Sequence, residues 1–221
     1  MKKTIVASVG SVFLSLLSPA FAADMPIKAA PLPYIAPYYN WTGFYIGING
    51  GYGFGQSKWS LGPITTGNFN MNGAVVGGTI GYNWQIGSIV LGAEGDFDWS
   101  NINGTSNAAA CVVSCKTANS WLATARLRLG YAFDRWLPYI TGGGAYGDVK
   151  ATSGLGSSSS NEFGWTAGAG IEWAFLPNWT AKAEYLYVDL GNGSCSTPCN
   201  PVPVTVKFQT SVVRAGVNYR F

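Results

Sequence analysis

Eight separate stretches of this chain alternate apolar residues with polar or very small ones at a period of two. Successive side chains on a strand point to opposite faces, so each stretch has one greasy face and one polar or glycine-rich face. The last ends the chain: Val213, Ala215, Val217, Tyr219 and Phe221 share one face, while Arg214, Gly216, Asn218 and Arg220 share the other. Six more, at about residues 43–55, 72–84, 88–99, 120–133, 162–175 and 179–189, repeat the pattern clearly. The stretch near 137–149 is vaguer, because Gly142-Gly143-Gly144 erases the contrast. Repetition of this kind is a strong strand signal.

The connections alternate as well. Residues 85–87, 134–136 and 176–178 are short links. The stretches near 56–71, 101–119, 150–161 and 191–205 are long and rich in Gly, Ser, Asn and Thr, and Ser157–Ser160 reads as a flexible loop tip. Three short turns and four long loops fit an all-β fold, a transmembrane eight-stranded antiparallel up-and-down β-barrel, with the turns in the periplasm and the loops outside. Backbone in lipid must satisfy its own hydrogen bonds, which leaves only helices and closed barrels. Beyond the N-terminus no stretch resembles a membrane helix, so the strands must close.

Lys2 and Lys3 precede an apolar run from Ile5 to Leu17, and Ala20-Phe21-Ala22 follows with the small residues a signal peptidase needs. Residues 1–22 thus read as a cleaved Sec signal peptide. Residues 23–42 read as a Pro-rich periplasmic leader, and 43–221 as the barrel. The expected location is the outer membrane of a Gram-negative bacterium. Glycine at 30 of 221 residues, with 14% aromatics and only 10% charged residues, suits a barrel with aromatic girdles outside and small residues inside. Trp41, Trp84, Trp99, Trp136, Trp173 and Trp179 fall near strand ends and read as those girdles. Loss of Lys2 and Lys3 lowers the formal charge from +3 to +1, which excludes a strongly basic nucleic-acid surface.

Charges on the inner faces must pair within a lumen just wide enough for side chains to fill. Glu94, Asp96 and Asp98 lie on the strand before the one bearing Arg126 and Arg128. Lys182 and Glu184 lie between the strand of Glu172 and that of Arg214 and Arg220. The expectation is an ion-paired, water-containing plug and not an open pore. Such networks commonly neutralise charge without catalysing anything.

Histidine is absent, which removes the commonest general base and metal ligand together. Neither a catalytic residue, a cofactor nor a metal is expected. Gly142-x-Gly144-x-x-Gly147 matches a dinucleotide fingerprint in letters alone, since no helix or downstream acid follows it. Cys111 and Cys115, and Cys195 and Cys199, form two Cys-x3-Cys pairs in the long loops of an exported chain. They read as disulfides. Four cysteines allow three connectivities, of which the local pairs are favoured.

Four segments carry a family resemblance. Tyr39-Asn40-Trp41-Thr42-Gly43-Phe44-Tyr45-Ile46-Gly47 after a Pro-rich leader is similar to the opening of the alphaproteobacterial small outer-membrane immunogenic proteins, which are OmpA-like eight-stranded barrels with a porin-family label. Leu137-Pro138-Tyr139-Ile140-Thr141-Gly142-Gly143 and Ala183-Glu184-Tyr185 match that family's habits, as does the closing Val217-Asn218-Tyr219-Arg220-Phe221. Tyr219 and Phe221 resemble the terminal signal read by the barrel assembly machinery. Leu186 departs from the pattern, since relatives often carry a basic residue there. The resemblance implies an abundant surface antigen without enzymatic activity. Its partners would be outer-membrane lipids, lipopolysaccharide, the assembly machinery, and a host or extracellular ligand at the loops. The leading expectation is a structural protein contributing to envelope integrity. The alternatives are a loop-mediated adhesin or a narrow porin-like channel for small solutes or ions.

Overall fold

The computed structural model describes residues 39–61, 64–107, 115–154, 156–195 and 204–221. The proposed signal peptide and most of the leader lie outside these residues. Eight strands follow one another: β1 (Gly43–Leu61), β2 (Ile64–Ile86), β3 (Ile89–Ser106), β4 (Cys115–Tyr131), β5 (Trp136–Ser153), β6 (Gly156–Ala174), β7 (Trp179–Cys195) and β8 (Val204–Arg220). Each pairs antiparallel with its neighbours, and β1 closes on β8 from Tyr45↔Arg220 to Ser60↔Thr205. Closure leaves no unpaired edge. Among the described residues no helix is long and apolar enough to cross a membrane.

Between β2 and β3, β4 and β5, and β6 and β7 the chain turns tightly; this is the turn end of the barrel. Gly87 (φ 61°) and Asp134 (φ 51°) sit at two of these turns. Aspartate tolerates that left-handed conformation better than other side chains, because its carboxylate bonds nearby backbone. Here it accepts the Tyr39 N–H at 3.4 Å.

The strands run well past their expected ends on the opposite, outer side. Residues 56–71 are mostly paired strand, with Gln56↔Asn70, Ser57↔Phe69 and Lys58↔Asn68 in register. Ser157–Ser160 is not a loop tip but part of β6, paired with β5 from Val149↔Ser160 to Thr152↔Ser157. Cys115 opens β4 and Cys195 closes β7, so both stand at strand ends rather than within loops. The reason is a change of surroundings. Near the turn end the greasy faces point outward; in the outer extension Trp59, Phe69, Met71, Ile102, Val206 and Phe208 are buried inside, while Gln56, Lys58, Asn68 and Asn70 face out. Polar strand exteriors there have the composition of loops.

Ladder shifts accompany the change, between Trp99/Ile102, Ala118/Leu122 and Asp189/Asn192. On β4 the inward set is Leu122, Thr124, Arg126 and Arg128 on one side of the shift, and Cys115, Thr117 and Asn119 on the other. A bulge leaves ladder groups without partners. Asp148 of β5 supplies them: its carboxylate accepts the N–H of Ser120 at 2.7 Å and of Trp121 at 2.9 Å.

Outside, Ile48, Val76, Ile80, Leu127 and Ile140 form an exposed apolar belt between two aromatic collars. Trp84, Tyr131, Phe133, Trp136, Trp173 and Trp179 stand near the turn end; Tyr52, Phe54, Trp99, Tyr146, Phe163 and Trp165 form the outer collar. Ten residue steps of β4 separate Trp121 from Tyr131. At about 3.3 Å per step and a tilt of about 40°, the belt is about 25 Å tall. Trp41 does not join it. It is buried across the turn-end mouth, donating Nε1–H to the Asp134 carbonyl at 3.1 Å, while its backbone N–H reaches Gln85 Oε1 at 2.7 Å.

Candidate functional site

The structure brings nine of the ten inward charges named from the sequence into one cluster, all but Arg220. Two contacts join register neighbours on adjacent strands, Glu94 to Arg126 and Glu184 to Arg214. Two more stay between β3 and β4, and the other five cross the lumen. Arg126 of β4 also binds Asp96 at 2.6 Å and Glu184 of β7 at 3.0 Å. Arg128 reaches Glu172 of β6 at 2.6 Å and Glu94 at 3.3 Å. Arg214 of β8 spans to Asp98 at 2.8 Å and Asp96 at 2.9 Å on β3. Lys182 passes over its register neighbour Glu172 and binds Glu94 at 3.1 Å.

Five carboxylates face four cations, and neutral donors add hydrogen bonds to the three glutamates and to Asp96, while Asp98 Oδ1 has no partner among the described residues. Tyr45 donates to Glu94 at 2.8 Å and Tyr139 to Glu184 at 2.9 Å. Thr79 and Thr124 donate to the two oxygens of Asp96, and Thr180 and Asn218 to Glu172. The Arg128 guanidinium lies 3.9 Å from the centre of the Tyr139 ring, a stacking that Arg performs better than Lys. Sequence reasoning did not assign these tyrosines, threonines and Asn218 to the network. Strand parity was the available signal: every one lies on an inward position. Arg220 shares that parity but stays outside the cluster, stacked on Tyr39 at 4.4 Å and bonded to the Pro177 carbonyl.

The expected water-containing space is not present around these groups. Every network side chain is 0–3% accessible, so charged groups touch one another directly. Toward the turn end Trp41, Val90, Ala132, Leu137 and Ala174, with Tyr39 against them, form an apolar plug. Toward the outer end Met71, Ile102, Leu122, Leu186, Val188 and Val212 form another. Their chemistry is charge neutralisation in a closed space. The carboxylates are engaged by cations, hydroxyls and the Asn218 amide.

Cys115 is buried and disulfide-bonded. Cys111 and Cys199 lie outside the described residues, as does the side chain of Cys195. Tyr219 packs edge-on against both Trp179 and Phe221 at 5.2 Å, and the Phe221 N–H bonds the Phe44 carbonyl at 3.0 Å, so the terminal residue still belongs to the barrel wall.

A family model described as outer membrane protein beta-barrel domain matches residues 13–221. The chain belongs to this family. It is similar to the 31 kDa outer-membrane immunogenic protein of Brucella melitensis, at 40% identity over 100% of both chains. It is also similar to the 25 kDa outer-membrane immunogenic protein of Brucella abortus, at 32% identity over 96% of each. Among solved structures, OprG from Pseudomonas aeruginosa shares the fold, with a TM-score of 0.51 at 15% identity over 82% of this chain and 97% of that one. This is an outer-membrane protein surrounded by lipid. The exposed belt therefore meets hydrocarbon, and the turn end faces the periplasm.

Proposed function

We propose that this family member is a structural, non-catalytic component of the outer membrane that contributes to envelope integrity. The observation carrying this reading is the lumen: a close-packed ion-pair cluster held between two apolar plugs. A barrel filled in this way strengthens and occupies membrane without opening it. Planar-bilayer recordings on the refolded chain should stay silent, and cells lacking it should become sensitive to detergent and bile salts. Stepwise conductance from the wild-type chain would replace this reading with the porin-like one. The outer strand extension favours a second reading, a recognition surface for a host or extracellular ligand, because polar residues there stand on a rigid scaffold. Shortening both sides of the β1–β2 hairpin in register, with attachment to host surfaces measured, tests it.

We further infer that residues 1–22 are removed on export, that 23–42 form the leader, and that Cys111, Cys115, Cys195 and Cys199 are all oxidised. Intact-mass and peptide mapping of the secreted protein should show an N-terminus at Ala23 and no free thiol. Tyr219 and Phe221 would serve the assembly machinery. Deleting Phe221 should lower the folded fraction in cells while sparing refolding in detergent.

A further inference from the structure

The five described lysines divide in two. Lys182 is inside; Lys58 on β1, Lys116 on β4, Lys150 on β5 and Lys207 on β8 face outward and are exposed. All four stand at one height. Lys58 lies four residues beyond Phe54 and Lys150 four beyond Tyr146; Lys116 lies five before Trp121. Lys207 lies four before Ser211, the register partner of Phe54. With about 3.3 Å per residue and a tilt of about 40°, the ammonium groups ring the barrel about 10 Å above the outer aromatic collar. The two pairs lie on opposite sides, because the β8–β1 and β4–β5 seams are half a turn of the barrel apart.

Lys58 and Lys207 are direct register partners. Like charges directly opposite on antiparallel strands are destabilising. Among the described residues nothing offsets them: their row reads Asn68, Lys58, Lys207, Asn192 across β2, β1, β8 and β7. The nearest outward acid, Asp189, lies one step toward the membrane, with its oxygens held by Gln209 Nε2 at 2.7 Å and the Gly191 N–H at 2.8 Å. Lys116 and Lys150 lie diagonally across β4 and β5, flanked by Thr105, Thr152, Ala118 and Ser159. Asp148 is buried at its bulge, and Glu162 of β6 alternates onto the inward set beside Gly193.

Two uncompensated lysine pairs at headgroup height call for fixed anions from the surroundings. We infer that the Lys58–Lys207 and Lys116–Lys150 pairs are binding sites for the phosphate groups of lipopolysaccharide, with the flanking Asn and Thr side chains as neutral donors to the same headgroup. This rests on the outer-membrane placement and not on the structural role proposed above, so a bilayer recording cannot decide it.

The test is a titration of the refolded barrel in neutral detergent with bisphosphorylated lipid A and, separately, with its dephosphorylated form. Wild-type protein should prefer the phosphorylated lipid about tenfold or more, and K58Q/K207Q and K116Q/K150Q should each lose about tenfold, with added NaCl weakening what remains. Without lipid A, K58Q/K207Q should unfold at the wild-type temperature or above, since a repulsion has been removed. Equal affinity of wild type and both variants, or of both lipids, overturns the assignment. So does a lower unfolding temperature of K58Q/K207Q in neutral detergent, which would give the lysines a role in the fold itself. A soluble sulfated polysaccharide binding as tightly as lipid A would assign the pairs to a soluble polyanion and equally overturn it.

Discussion

Arg126 touches Glu94, Asp96 and Glu184 directly. Replacing it with methionine keeps much of the volume and leaves three buried carboxylates short of a cation. Breaking a buried pair by removing one partner typically costs about 3–5 kcal/mol, and R126M should lose at least that in urea unfolding followed by tryptophan fluorescence. Trp41 is a different case, a large apolar side chain plugging the periplasmic mouth. W41A should cost about 3–5 kcal/mol through lost burial and a cavity, read as a heat-modifiable gel shift at lower temperature. The nine charged residues were legible in sequence because charge on the inner face of a membrane strand has nowhere else to go. Tyr45 and Tyr139 were not, because a tyrosine on either face of such a strand is unremarkable: it fits an outer collar or a lumen equally well. Trp41 misled for the same reason, since its sequence position near β1 suits a girdle and only its contacts place it in the plug.

At the scale of elements, the strand cores were readable and their outer ends were not. Alternation identifies a strand whichever face is greasy, but the sense of burial reverses beyond the collar and the polar face there mimics loop composition. The bulges that accompany the reversal carry little local signal. Asp148 is the clearest device among them, because its carboxylate meets two N–H groups that the β4 ladder abandons. D148A should leave both donors unpaired and cost about 1–3 kcal/mol. Amide exchange should rise at Ser120 and Trp121 while the β3–β4 ladder near Arg126 stays protected. Gly143 shows how tightly the elements approach: an added Cβ there would overlap the Ala125 carbonyl and the Arg126 backbone. The Gly142-Gly143-Gly144 run that blurred β5 in the sequence is thus a place where the wall comes close to the charge cluster.

For the molecule as a whole, charge is sorted by position: an ion-paired cluster of five acids and four bases inside, lysines above the outer collar, and Arg135 and Arg220 at the periplasmic rim. Buried pairs are screened far less than exposed ones. Raising NaCl from about 0.05 to 0.5 M in neutral detergent should therefore cause no loss of stability, measured as the urea midpoint. A marked loss would mean that solvent reaches the network. The sequence by itself determined the strand count, the antiparallel order, the hydrocarbon-facing side and all of the charged set but the exclusion of Arg220, because each follows from a period of two and from the cost of unpaired groups in lipid. Only the tertiary structure decided which acid meets which base. Most of the contacts span the lumen between strands that are not neighbours, and Lys182 bypasses the register partner that adjacency would assign to it. It also decided that buried apolar side chains pack on both sides of the charge cluster, because a plug is made by side chains from many strands converging at one height, and height depends on ladder shifts that no single strand records.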